Sequence, residues 1–217
     1  MAHSTESRTK RVLYVTQEPR IGERAELSAE RDMVLRTVEH PRRRVEVVVD
    51  VLEGADRVEL HRAAMSRSYS VVAISGHGWG LGIAKGAGRL GREQGAAALA
   101  ELLAVSCCPN ASILLLGCNT GLVTAAFSSR GLRGAAFDGP VLGGEIRAFL
   151  EGYLVGLASG REGRTAFEAA CLSLAFESID AVALARWFAP ELDPGQGRYD
   201  WVREPPVGRS WSGEASR

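Results

Sequence analysis

The sequence lacks a long hydrophobic run. No apolar stretch within its 217 residues approaches the roughly 20 residues that are needed to span a bilayer. The opening string MAHSTESRTK is polar and has no apolar core of the kind that a signal peptide carries. We therefore expect no membrane association and a cytoplasmic location for this chain.

The sequence also lacks an excess of either charge, since 26 basic residues balance 26 acidic ones. No summed field draws such a chain onto nucleic acid, so we expect partners to be recognised locally. Internal repeats and long low-complexity linkers are absent as well, which favours one globular domain. We predict that this domain covers residues 11–189, between a flexible N-terminus at 1–10 and a polar C-terminal tail at 190–217.

Cysteine is scarce, and no C-x-x-C pair occurs. In a reducing compartment the few cysteines are expected to be free thiols, one of which can serve as a nucleophile. Adjacent Cys107 and Cys108 do not have the spacing of a zinc chelate. The string GHGWGLG lacks the context of a dinucleotide-binding loop, because no acidic residue ends the next strand. We therefore expect no metal and no cofactor. The four cysteines are Cys107, Cys108, Cys118 and Cys171.

What the chain does contain is an alternation of short apolar runs with segments of helical spacing. Runs that are apolar throughout are typical of strands buried on both faces of a parallel sheet. The pattern predicts an α/β fold, a three-layer α/β/α sandwich with a mainly parallel sheet. Strands are predicted at 11–16, 44–49, 69–75, 112–116 and 134–137, and helices at 24–38, 56–66, 94–105, 122–129, 144–158, 163–178 and 181–188.

Two of the predicted strands end in glycine-flanked reactive residues. The third strand runs into SGHGWG, which places His77 just beyond it, and the fourth runs into GCNTG, which places Cys118 just beyond it. If these strands are neighbours, both side chains reach the rim where parallel strands end. A cysteine beside an imidazole forms a nucleophile and base pair. The backbone N–H groups of Gly78 and Cys118 are then the natural oxyanion donors.

Each residue also has a purely structural interpretation. A single histidine after a buried strand is commonly a hydrogen-bonded structural residue, and a single buried cysteine commonly packs as a small hydrophobe. The coincidence of both at adjacent strand ends favours catalysis. The intervening glycine-rich segment, residues 79–95, is either a mobile loop over the site or a plain surface connection.

The order of these strings resembles the caspase-like cysteine peptidases, and most closely their bacterial CHAT domains, with a separase-like string around the cysteine. The similarity is carried by SGHG, LLLGCNTG, the opening VLYVTQEP, and the closing FLEGYLVGLASG followed by AFEAA. It implies a caspase-like fold and a cysteine endopeptidase with His77 as base and Cys118 as nucleophile. It also implies a protein or peptide substrate, a separate regulatory partner, and a role in bacterial defence or cell death. The caspase signature Q-A-C-[RQG]-G is absent.

The residue preference stays open at this point. In separase-like members an acidic residue just after the strand that follows the nucleophile reads a basic side chain. By that resemblance Asp138 is the substrate-binding residue, with Glu145 as the second candidate, although Asp138 before Gly-Pro also suits a turn. Arg147 or Arg130 would instead suit a substrate aspartate. The alternatives to a peptidase are a non-catalytic interaction module that binds a partner protein and a thiol hydrolase acting on a small molecule.

Overall fold

The computed structural model describes residues 9–16, 24–39, 43–76, 92–106 and 110–190. Within them a six-stranded sheet has the order β2-β1-β3-β4-β5-β6, parallel throughout except for β6, which runs antiparallel to β5. The strands are β1 (Thr9–Thr16), β2 (Glu46–Glu53), β3 (Val71–Ser75), β4 (Ser112–Leu116), β5 (Arg133–Phe137) and β6 (Ala185–Phe188). The helices are α1 (Arg24–Val38), α2 (Arg57–Ser66), α3 (Arg92–Ser106), α4 (Thr124–Ser128), α5 (Gly143–Ala158), α6 (Arg164–Glu177) and α7 (Ile179–Leu184), and a 3₁₀ turn at Thr120–Val123 precedes α4.

Alternating side chains of the strands pack into two separate hydrophobic cores. In β1, Val12 and Tyr14 join the core that contains α1, α5 and α6. Leu13 and Val15 join the opposite core, which contains α2, α3 and α4. Successive side chains of a strand point to opposite faces, so helices on both faces bury the whole sheet. The predicted three-layer α/β/α sandwich with a mainly parallel sheet is therefore confirmed.

Local chemistry explains where some helices begin. The Asp56 carboxylate accepts the N–H groups of Val58 and Glu59, both at 2.8 Å, while the Asp56 N–H donates to the Glu59 carboxylate at 3.0 Å. This reciprocal capping box satisfies backbone donors that have no partner within the helix. It starts α2 one residue later than predicted, with Asp56 as its cap.

Two predictions about the elements need correction. The helix predicted over residues 181–188 ends at Leu184, and Ala185–Phe188 is instead the edge strand β6. A short apolar run is compatible with either state, and pairing with β5 decides in favour of the strand. Helix α3 begins at Arg92, so the last residues of the predicted loop 79–95 are helical. The rest of that loop lies outside the described residues.

Candidate functional site

Cys118 lies just beyond the carboxyl end of β4, separated from it only by Gly117. Its side chain is half-buried and packs against the core that contains α5 and α6. The Sγ atom lies 3.4 Å from the carbonyl oxygen of Val141 and accepts the Val141 N–H at the same distance. One backbone unit, in the segment between β5 and α5, therefore fixes the position of the sulfur.

The turn after Cys118 has an unusual backbone conformation. Asn119 adopts a left-handed conformation with φ 58° and ψ 23°, and among the described residues other than glycine only Asn119 has a positive φ. Asparagine tolerates this region better than most residues. Its N–H donates to the carbonyl of Gly139 at 2.9 Å. The turn that carries the cysteine is therefore held against the segment that follows β5.

A second connection to β5 runs through Thr120. Its buried hydroxyl lies 2.8 Å from the carbonyl oxygen of Leu115 and 3.1 Å from that of Gly117, and it accepts the N–H of Phe137 at 3.0 Å. These contacts tie the end of β4 to the end of β5. Hydrogen bonds therefore fix the backbone on both sides of Cys118, which gives the candidate nucleophile a well-defined position.

The chain segments that leave β3 and β4 touch each other. The Gly76 N–H donates to the Leu116 carbonyl at 3.2 Å. A Cβ added to Gly117 would lie only 2.7 Å from the Gly76 carbonyl oxygen, so this approach requires glycine. The next residues in the sequence, His77 and Gly78, lie outside the described residues. Their predicted roles as base and oxyanion donor stay predictions.

Asp138 follows β5 directly and forms an ion pair with Arg186 of β6. The Arg186 guanidinium lies 2.8 Å from the Asp138 carboxylate, and both side chains are less than one-fifth exposed, at 18% and 16%. A Cβ on Gly121 would collide with the same carboxylate, which therefore lies close to the turn that carries Cys118. Sequence reasoning missed Arg186, because it assigned that residue to a helix.

Glu145 stands in the first turn of α5, and its carboxylate accepts the N–H of Leu142 at 2.7 Å. This contact caps the helix and makes a structural role sufficient to explain Glu145. Among the alternative arginines, the Arg130 guanidinium donates to the Glu101 carboxylate at 2.6 Å. Arg147 lies near Gly143 and Gly144 at the start of α5. Of the two acidic candidates, Asp138 is the one that lies beside the turn carrying the cysteine.

A buried polar pair between β1 and α1 was not predicted. The Tyr14 hydroxyl donates to the Glu30 carboxylate at 2.8 Å, and Glu30 is only 4% exposed. Burial raises the pKa of Tyr14, the Glu30 charge raises it further, and the Ser75 side chain opposes this. Ser75 ends β3, two residues before His77 in the sequence. Helical spacing carries a signal for it, because Glu30 lies three residues after Leu27 and four before Val34, on the apolar face of α1.

Comparison with known proteins adds nothing to this geometry, since no protein-family model and no curated protein matches the chain. Within the described ranges, no cluster of three or more potential metal ligands is present. No described helix has the length and apolar character that crossing a membrane requires. What the described residues offer chemically is a half-exposed thiol on a rigid turn, at the edge of the sheet where parallel strands end.

Proposed function

We propose that this protein is a cysteine endopeptidase that uses Cys118 as nucleophile and His77 as general base to cleave a partner protein. The observation that carries the proposal is the contact between the segments leaving β3 and β4. Gly76, the residue before His77 in the sequence, packs directly against Gly117, the residue before Cys118. The two reactive residue types therefore follow two touching glycines at the functional edge of a parallel sheet.

In the proposed reaction His77 takes the proton of the Cys118 thiol, and the thiolate attacks the carbonyl carbon of the scissile peptide bond. The N–H groups of Cys118 and Gly78 stabilise the oxyanion. Protonated His77 gives its proton to the leaving amine, and water then hydrolyses the thioester. In support, the N–H of Cys118 donates to no acceptor within the described part of the chain.

We further propose that Asp138 reads a basic side chain before the scissile bond, with Arg186 as its partner in the substrate-free protein. In support, the carboxylate already binds one guanidinium, that of Arg186, at 2.8 Å. A substrate arginine or lysine would share or displace this contact. Arg186→Gln should then increase kcat/KM for peptides with Arg or Lys several-fold, whereas Asp138→Asn should lower it.

The decisive experiment measures cleavage of fluorogenic peptides that carry Arg, Lys, Asp or Leu before the scissile bond. It compares the unaltered protein with Cys118→Ala and, as a matched control, with Cys171→Ala. The proposal requires turnover that Cys118→Ala abolishes and Cys171→Ala retains. Turnover after Asp would keep the enzyme but reject Asp138 as the specificity residue.

The second candidate is a non-catalytic interaction module. It is favoured by the engagement of the Cys118 sulfur with both backbone polar groups of Val141. In such a module the cysteine would be a structural residue of the turn. Absence of any Cys118-dependent turnover, together with slow alkylation of Cys118, would select this candidate and reject the peptidase. A separate regulatory partner belongs to either proposal.

A further inference from the structure

Helix α6 and the start of α7 carry three large apolar side chains on their surface. Phe176 is 92% exposed, and it lies four residues after Leu172, which is exposed as well. Residues four apart are neighbours on the surface of a helix. Ile179, the first residue of α7, follows them and is 72% exposed. Together Leu172, Phe176 and Ile179 form the α6 ridge, whereas single exposed apolar residues are normal and need no explanation.

The α6 ridge faces away from the sheet. Phe167 and Leu174 of α6 are buried in the core that α6 shares with the sheet. On another side of α6, Ala170 packs so closely against Gly152 of α5 that a Cβ on this glycine would lie 3.0 Å from the Ala170 Cα atom. The sheet and α5 therefore cover two sides of the helix, and the ridge occupies the side that is turned to solvent.

Charges of opposite sign lie at the two ends of the α6 ridge. Arg161 and Arg164 lie at the start of α6, whereas Glu177 and Asp180 lie where α6 ends and α7 begins. The Arg164 guanidinium is 3.8 Å from the Glu168 carboxylate. Arg161, Glu177 and Asp180 form no ion pair within the described part of the chain. An apolar centre with a charged rim is the usual anatomy of a protein–protein interface.

This order of charges is complementary to a second copy of itself. Leu172 lies midway between Arg164 and Asp180, eight residues from each. When two copies pack antiparallel about a two-fold axis at Leu172, Arg164 of each copy lies at the end that carries Asp180 of the other. A parallel arrangement would place like charges together. We infer that the α6 ridge joins two copies of this chain in a symmetric dimer, independently of the peptidase proposal.

The first test measures the mass of the full chain in solution by sedimentation through the micromolar concentration range. We expect a reversible rise with concentration, from the 23.2 kDa of one chain to twice that mass. The mass of one chain at every concentration overturns the inference. It would mean that the ridge contacts a different partner or none.

Phe176→Ala tests whether the ridge is the interface. This variant should raise the dissociation constant of the dimer about tenfold or more, because exposed aromatic side chains at the centre of an interface contribute most to binding. Met65 of α2 is also exposed, and α2 covers the opposite face of the sheet. Met65→Ala is therefore the matched control and should dimerise as the unaltered protein does. Equal dissociation constants for the two variants would overturn the inference.

The same variant shows whether the chain covers the ridge itself. Phe176 is almost fully exposed and alanine favours helices, so Phe176→Ala should not lower the melting temperature of the single chain. The measurement is made at a concentration at which the unaltered protein is also a single chain. A lowered melting temperature there would indicate that another segment of the chain packs on Phe176, and would overturn the inference.

Charge reversal tests the two-fold arrangement. Arg164→Glu brings like charges together twice in each dimer, at Asp180 of both copies, so the dissociation constant should rise several-fold. Asp180→Arg should have the same effect with the opposite sign of charge. The double variant restores opposite charges in exchanged positions and should dimerise nearly as the unaltered protein does. Additive losses in the double variant would contradict the antiparallel pairing.

Discussion

Two cysteines of the described structure occupy opposite environments. Cys118 lies half-buried at the end of a strand, with its sulfur against the backbone polar groups of Val141. Cys171 is 0% exposed within the core formed by α5 and α6. Burial raises the pKa of the Cys171 thiol, and the Glu168 charge adds to this. The same side chain is thus partly exposed at one place and enclosed in hydrocarbon at the other.

The chemical behaviour of each cysteine therefore depends on its surroundings more than on its residue type. A thiol without a polar neighbour or solvent access behaves as a small hydrophobe. A partly exposed thiol can act as a nucleophile if a base such as a histidine lies beside it. Variants at matched positions around Cys118 and Cys171 test this difference.

The largest expected effect is on peptide cleavage. Cys118→Ala should lower kcat/KM by at least about a thousandfold, because it removes the atom that forms the covalent intermediate. Cys171→Ala should retain activity, since Cys171 packs in the core. Steady-state kinetics on the best-cleaved fluorogenic peptide decide between these outcomes. Equal losses of kcat/KM in the two variants would contradict a special role for Cys118.

The next prediction compares two tightly packed glycines, one near Cys118 and one in the helix that packs against the helix of Cys171. A Cβ on Gly121 would collide with the Asp138 carboxylate, and a Cβ on Gly152 would collide with Ser173 of α6. Both alanine variants should lose about 1–3 kcal/mol of unfolding free energy through overpacking. Only Gly121→Ala should also lower the activity per folded molecule, because it disturbs the turn after Cys118. Urea denaturation and kinetics on the folded fraction measure the two effects separately. Full activity in Gly121→Ala would show that the Asp138 contact does not support the site.

A smaller contrast concerns serine replacements. Cys171→Ser should cost about 1–3 kcal/mol of unfolding free energy, because it buries a hydroxyl in an apolar core. Cys118→Ser should cost less than about 1 kcal/mol, because a hydroxyl there can keep the contacts with Val141. Chemical denaturation of both variants measures this difference. A larger loss at Cys118 would indicate that its role is structural.

The smallest effect is on alkylation of Cys171. Because its pKa is raised, this thiol stays protonated through the neutral pH range, and it has no access to solvent in the native state. Its labelling rate should therefore follow unfolding and rise only with added urea. Mass spectrometry of the labelled peptides measures this rate. Fast labelling in the absence of urea would contradict the buried environment.

The pattern of apolar residues predicted much of this fold, and the residues that follow the predicted strands gave part of the candidate site. The run Ile113–Leu116 is apolar throughout, which predicted β4 with the observed bounds, Ser112–Leu116. The position of Cys118 follows directly from the end of that strand. The helix predicted over β6 was wrong, because these four residues form a strand only through hydrogen bonds with β5.

The missed contacts share one physical cause: they join residues distant in sequence. Arg186 pairs with Asp138 only after β6 lies beside β5, and Val141 reaches the Cys118 sulfur only after β5 lies beside β4. Helical spacing places Glu30 on the apolar face of α1, but its partner Tyr14 is known only once β1 lies beneath that face. Local periodicity carries no information about such long-range pairs.

Competitive alkylation of the native protein with iodoacetamide at neutral pH, followed by peptide mass spectrometry, tests most directly whether Cys118 is the nucleophile. We expect Cys118 to be modified well ahead of Cys107, Cys108 and Cys171, and peptide cleavage to be lost in proportion to Cys118 modification. Equal, slow labelling of all four cysteines, or full cleavage by protein whose Cys118 is completely alkylated, would contradict the assignment of Cys118 as nucleophile.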